Sequence, residues 1–184
     1  MQTNLLWSGI EYSSLENCLV TTTDAGSEIT STIVGYQNNK HYRVLYRILT
    51  NPLWETIFFE IDSRHSNQQQ TISYTGDGKG NWTGHGKEII EFKGCIDIDI
   101  PLTPFTNTLP INRLKLAIGQ EQEIKVIYLD LLEQEIRVVR QKYRRISDTE
   151  YHYQNVPNDF EAKIRVDERG FVIDYPALFE RKNA

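Results

Sequence analysis

The chain has 184 residues, 39% hydrophobic and 11% aromatic. It is long enough for one domain with a sizeable core, and too rich in large rings for a disordered segment. A formal net charge of −5 argues against nucleic acid as the main partner, because phosphate binding needs a basic face. The two cysteines, Cys18 and Cys95, allow at most one disulfide and no disulfide framework, and they lack the closely spaced histidines of a zinc site.

The start, MQTNLLWSGIEYSS, has neither a basic leader nor a long apolar run. No window approaches the roughly 18 apolar residues of a membrane span, so a cytoplasmic protein is expected. EYSSLEN at 11–17 reads as a short helical turn. Strand-like runs then follow at 16–23, 28–36, 41–49, 53–62 and 69–75. In the run at 41–49, Tyr42, Val44, Tyr46 and Ile48 share one face while Arg43, Leu45, Arg47 and Leu49 share the other, which is the period of a strand. In ETIFFEI, Ile57, Phe59 and Ile61 are set against Trp54 and Phe58. Such a strand is apolar on both faces and must cover a second sheet, a partner or a ligand cavity. GDGKGNWTG at 76–84 is glycine-rich but lacks the Lys-Ser/Thr end of a phosphate loop, so it reads as a hairpin turn.

Further strands are expected at 89–100, 113–118, 122–130, 135–143 and 149–155. A hairpin over 159–175 closes at Gly170, and PALFERK gives a short helical turn at the tail. LDLLEQEIRVVRQK at 129–142 has some helical character. The β-branched Ile136, Val138 and Val139 instead favour a strand after a turn at Leu132-Glu133. Many short strands with tight turns, few short helices and no linker predict one all-β domain over 1–184: an antiparallel sandwich, a barrel or a strongly curved sheet.

GCIDIDIP is the most unusual of these runs. Cys95, Asp97 and Asp99 share one strand face, and Ile96, Ile98 and Ile100 the other. Two aspartates roughly 7 Å apart on one face repel unless solvated or paired. The run is therefore either a wet face or the polar floor of a pocket, with Arg113 or Lys115 folding back onto the carboxylates. Pro101 ends the ladder, and Pro104 and Pro110 bias Thr103 and Leu109 to an extended backbone. Thr103, Thr106, Asn107 and Thr108 can cap turns or offer polar groups to a ligand, while Phe105 and Leu109 anchor the loop or line an apolar wall. A stiff pocket rim and a plain crossover suit the loop equally.

GCIDIDIPLTPFTNTLPINRL closely resembles the signature of the family of small bacterial domains described as "putative glycolipid-binding". Trp7-Gly9 with its intervening Ser8, VGYQNNKHYRVLYRI, the Trp54 segment, DGKGNW, QKY at 141–143 and VDERGFVIDYPALFER extend the resemblance along nearly the whole chain. The resemblance implies an all-β, half-barrel-like fold with an apolar interior and a glycolipid or lipid-like ligand. It carries over no catalytic residues.

Three functions follow. The first is a noncatalytic carrier of an amphipathic ligand, contacted by Asp97, Asp99, Thr103, Phe105, Thr106, Asn107 and Arg113. Trp7, Trp54, Trp82, Tyr143 and Tyr175 would serve it as amphipathic rings at the boundary between tail and head. The second is a hydrolase using Asp97 and Asp99. The third is a homodimeric interaction module with an apolar sheet face as its interface. His41, His65, His85 and His152 show no two-histidine metal spacing, and no metal or cofactor is expected.

Overall fold

A computed structural model describes residues 1–182. Eight strands come first: β1 (Gln2–Gly9), β2 (Ser14–Thr23), β3 (Gly26–Gln37), β4 (Lys40–Thr50), β5 (Thr56–His65), β6 (Gln68–Gly76), β7 (Trp82–Gly84) and β8 (Lys87–Glu88). An irregular crossover holds the short β9 (Asp97–Asp99) and helix α1 (Thr108–Leu114). The second half is β10 (Glu121–Asp130), β11 (Glu135–Arg145), β12 (Glu150–Val156), β13 (Glu161–Val166), β14 (Val172–Tyr175) and β15 (Phe179–Arg181).

All fifteen strands form one sheet, in the order β8-β7-β6-β5-β4-β3-β2-β1-β15-β14-β13-β12-β11-β10-β9. Two antiparallel meanders are thus joined where the first strand meets the last, with Trp7 opposite Arg181 and Gly9 opposite Phe179. The sheet does not close, since β8 and β9 are its two ends. β9 pairs with β10 in parallel, because the chain reaches it through a long crossover instead of a hairpin.

Alternation decides what lies inside. Along β4, Tyr42, Val44, Tyr46 and Ile48 are buried while Arg43 and Arg47 are exposed. The inward side chains of β1 to β6 form one core with Phe92, Cys95, Ile98, Ile100, Leu102, Phe105 and Leu109 of the crossover. The second meander packs around Tyr143, Tyr153, Ile164, Val172 and Tyr175, with Ile111 and Leu116 from α1 and the residues after it. The crossover therefore fills the inner face of the sheet. The interior is apolar, as the resemblance implies, and is occupied by the chain's own side chains.

Four local expectations change. Residues 113–118 are not a strand. Pro110 falls in the first turn of α1, where its missing N–H is not needed, so it starts the helix instead of forcing an extended chain. Lys115, in the left-handed region at φ 47°, ends α1. The run at 89–100 is broken by a 3-10 turn at Ile90–Phe92 and by Gly94 at φ 86°, leaving three residues of strand. The helical turns expected at 11–17 and in the tail are tight turns flanking β2 and β15. In β5, a bulge opposite Leu49/Thr50 takes Ile57 out of the ladder, so it does not share the fully buried face of Phe59 and Ile61. Cys18 and Cys95 are both free and buried.

Candidate functional site

The two aspartates of β9 have different fates. Asp97 is fully buried, and Arg113 of α1 grips it: Nε donates to Oδ1 at 3.1 Å and to Oδ2 at 3.2 Å, and Nη2 to Oδ2 at 2.5 Å. Burial pushes its pKa up and Arg113 opposes the rise. Lys115, the other basic residue expected to fold back, is exposed. The wet-face reading fails at Asp97, which Arg113 of α1 covers, while Asp99 is half-buried and faces a cavity.

Asp99 is held by neutral donors. Thr106 Oγ1 donates to Oδ1 at 3.0 Å and Gln141 Nε2 to Oδ2 at 2.6 Å. Its pKa also rises through burial, opposed by these two bonds. The parallel register sets Asp99 opposite Tyr128. The loop after it is fixed from inside. Phe105 N–H donates to Thr103 Oγ1 at 3.0 Å, Tyr143 Oη donates to Asn107 Oδ1 at 2.9 Å, and Phe105 is buried beside Phe171.

Asp99 lines a cavity of about 210 Å³. The turn after β1 brings Glu11 and Tyr12, β10 brings Tyr128, and β12 brings Tyr153 and Asn155. Phe160 precedes β13, Tyr175 ends β14, Phe179 starts β15, and Pro101, Thr103, Asn107 and Leu178 complete the wall. The rings touch in sequence: Tyr12 to Phe179 at 6.1 Å between centroids, Phe179 to Tyr175 at 6.3 Å, Tyr175 to Tyr153 at 6.2 Å, and Tyr153 to Phe160 at 6.1 Å. Burial raises the phenol pKa values of Tyr12, Tyr153 and Tyr175 and takes Tyr128 to about 12, so these tyrosines stay neutral. A second hollow of about 210 Å³ shares Glu11, Tyr12 and Pro101 and adds Asp130 and Glu133.

Thr103 also touches a buried polar cluster. Tyr46 Oη lies 3.3 Å from Thr103 Oγ1 and donates to Glu16 Oε1 at 2.6 Å, and Ser31 Oγ donates to the same oxygen at 2.7 Å. Glu16 is 2% exposed, its Oε2 has no hydrogen-bond partner, and burial lifts its pKa to about 7.

Of the residues singled out in the sequence, Asp99, Thr103, Asn107 and Tyr175 line the cavity. Thr106 and Tyr143 stand one hydrogen bond behind it. Asp97, Arg113 and Phe105 support the wall from further inside. Trp7 and Trp82 are core residues whose Nε1 atoms donate to Val172 O at 2.9 Å and Cys95 O at 2.7 Å. Trp54 lines a separate groove with Lys115, Arg145 and Arg169. Glu11, Tyr12, Tyr128, Tyr153, Asn155, Phe160 and Phe179 were not anticipated, nor was Glu16. Glu16 had a local signal, since it shares the strand parity of the inward Cys18 and Val20. Among the described residues, no cluster of three or more His, Cys, Asp or Glu could hold a metal ion. None of their helices is long and apolar enough to cross a membrane.

No curated protein matches the chain. A DUF1089 family protein from Pseudomonas aeruginosa, known from a crystal structure, is 35% identical, with a TM-score of 0.84 and 92% of each chain covered. Residues 4–181 match the model of the family described as "Putative glycolipid-binding", and the chain belongs to that family.

Proposed function

We propose that this chain, acting as a single domain, binds the head group of a glycolipid or similar amphipathic molecule and does no chemistry on it. One observation carries the reading: the cavity combines a ring of aromatic side chains with Asp99, Asn107 and Asn155. Aromatic faces cover the C–H faces of a sugar, while the carboxylate and amides take its hydroxyls. At about 210 Å³ the cavity lies below the roughly 300–1,000 Å³ of sites that engulf a drug-sized ligand. It suits one head group with the tails outside, in keeping with a filled interior.

Hydrolysis by Asp97 and Asp99 is the weaker reading. Glycoside cleavage needs two carboxylates facing one bond. Asp97 spends both oxygens on Arg113 and does not line the cavity.

The test is native mass spectrometry of protein purified gently from its host, followed by organic extraction. A stoichiometric glycolipid adduct that is lost in Phe160→Ala is expected. A bare mass with no uptake from a total lipid extract would overturn the proposal.

A further inference from the structure

We infer that the head group taken by this cavity is cationic, an organic ammonium that sits against Asp99 within the aromatic cage. The inference rests on the head-group reading above and names the chemistry of that same site.

Charge is the first argument. Asp99 and Glu11 are in the wall and no Lys, Arg or His joins them. The adjoining hollow adds Asp130 and Glu133, again with no basic residue. Within these two hollows an anionic head group would meet only like charge; the guanidiniums of Arg137 and Arg140 line a separate groove that shares Tyr128 and Asn155 with the cavity.

Asp99 itself is the second argument. Asp97, two residues away on the same strand, has its own guanidinium. Among the described residues no ion pair reaches Asp99, whose two oxygens accept from an amide and a hydroxyl. Asp99 is half-buried, so its carboxylate is partly desolvated without a counter-charge, and an arriving cation offsets that cost.

The rings are the third. Faces of Tyr and Phe attract ammonium groups, more strongly once both are desolvated. Tyr128 already shows this behaviour on a neighbouring groove, where the Arg137 guanidinium lies over its ring at 5.0 Å.

The experiment is calorimetric titration of the whole protein near neutral pH, with aromatic ¹H–¹³C spectra recorded in parallel. Choline is compared with 3,3-dimethylbutan-1-ol, which has its shape without its charge. Protonated glucosamine is compared with glucose. Each charged probe is expected to bind about tenfold more tightly than its neutral counterpart, shifting the Tyr153 and Tyr175 signals. Preference for choline assigns a quaternary ammonium source, and preference for glucosamine an amino sugar. Glu11→Gln, at an exposed turn position, narrows the gap without disturbing the fold, and Asp99→Asn removes it. Equal or tighter binding of the neutral probes, or no binding of any of the four, overturns the inference. Lipid uptake by native mass spectrometry then decides separately whether the head-group reading survives.

Discussion

Arg113→Met removes a guanidinium while keeping most of its apolar stem. Its carboxylate partner is fully buried, whereas Arg113 keeps 14% of its side chain exposed. The substitution therefore strands the charge that is deeper inside. Leaving one member of a buried pair uncompensated costs about 3–5 kcal/mol. With a urea slope of about 2 kcal/mol per molar, the unfolding midpoint falls by about 2 M. The sign of the pH dependence separates lost charge pairing from lost packing. Burial already raises the Asp97 pKa and Arg113 opposes the rise, so the variant's folded pKa moves further above the unfolded value. The native variant then takes up a proton before the unfolded chain does, and its deficit relative to wild type shrinks as pH falls through that raised pKa. Adding Asp97→Asn should recover much of the loss at neutral pH. Paired urea melts at mildly acidic and mildly alkaline pH provide the check. A loss below about 1 kcal/mol, or one that is the same at both pH values, would refute the assignment of this pair as a buried, interdependent strut.

Glu16 gives a second pH signature. Its folded pKa of about 7 lies above the ordinary 4.5, so the native state holds the proton more tightly and stability falls as pH rises across that window. The span is on the order of 3 kcal/mol, and urea midpoints of Glu16→Gln should lose that slope. Burial pushes the Cys18 thiol well up and Cys95 to about 11, so a disulfide reagent should modify native protein only at the rate at which it opens. Fast labelling under native conditions would contradict this. Gly80, at φ 89°, lies so close to Gly94 that a Cβ would come within 2.8 Å of its Cα. Gly80→Ala should cost about 1–3 kcal/mol, more than Gly119→Ala, where φ is 85° but the space is open.

The fold was legible wherever one strand face is dry. The alternation in 41–49 and 161–166 reports burial directly, and the turn at Leu132-Glu133 follows from β-branched residues resuming after it. The crossover was not legible, because there the physics is tertiary. IDID alternates like a half-wet strand, yet Asp97 is buried beside Ile98, since α1 supplies the cover and its Arg113 the charge. Pro110 was misread for a related reason. A proline rules out helix interiors but favours first turns, and which of these applies depends on where the chain is anchored upstream. Here Phe105, fully buried beside Phe171, sets that anchor.

The candidate site divides along the same line. Residues within one stretch, Asp99, Thr103 and Asn107, could be picked out because a proline-bounded, hydroxyl-rich loop after an acidic strand is locally odd. The rings that make the cavity were invisible one at a time: Tyr12, Tyr128, Tyr153, Phe160 and Phe179 each read as an ordinary aromatic on or beside a strand. They converge because β1 pairs with β15, bringing the turn at 10–13 beside the last two strands, while parallel pairing sets Asp99 opposite Tyr128. Neither pairing has a short-range signal, since the residues joined lie far apart in the chain. The same geometry explains why the D-x-D pattern misleads. Successive same-face positions look like a matched pair of carboxylates, but the strand runs from under α1 to the cavity wall. Its first aspartate therefore meets a guanidinium and its second meets open space lined by rings. One is a strut and the other lines the cavity proposed to take a ligand, so a substitution at either should report on a different property: stability for Asp97, ligand charge for Asp99.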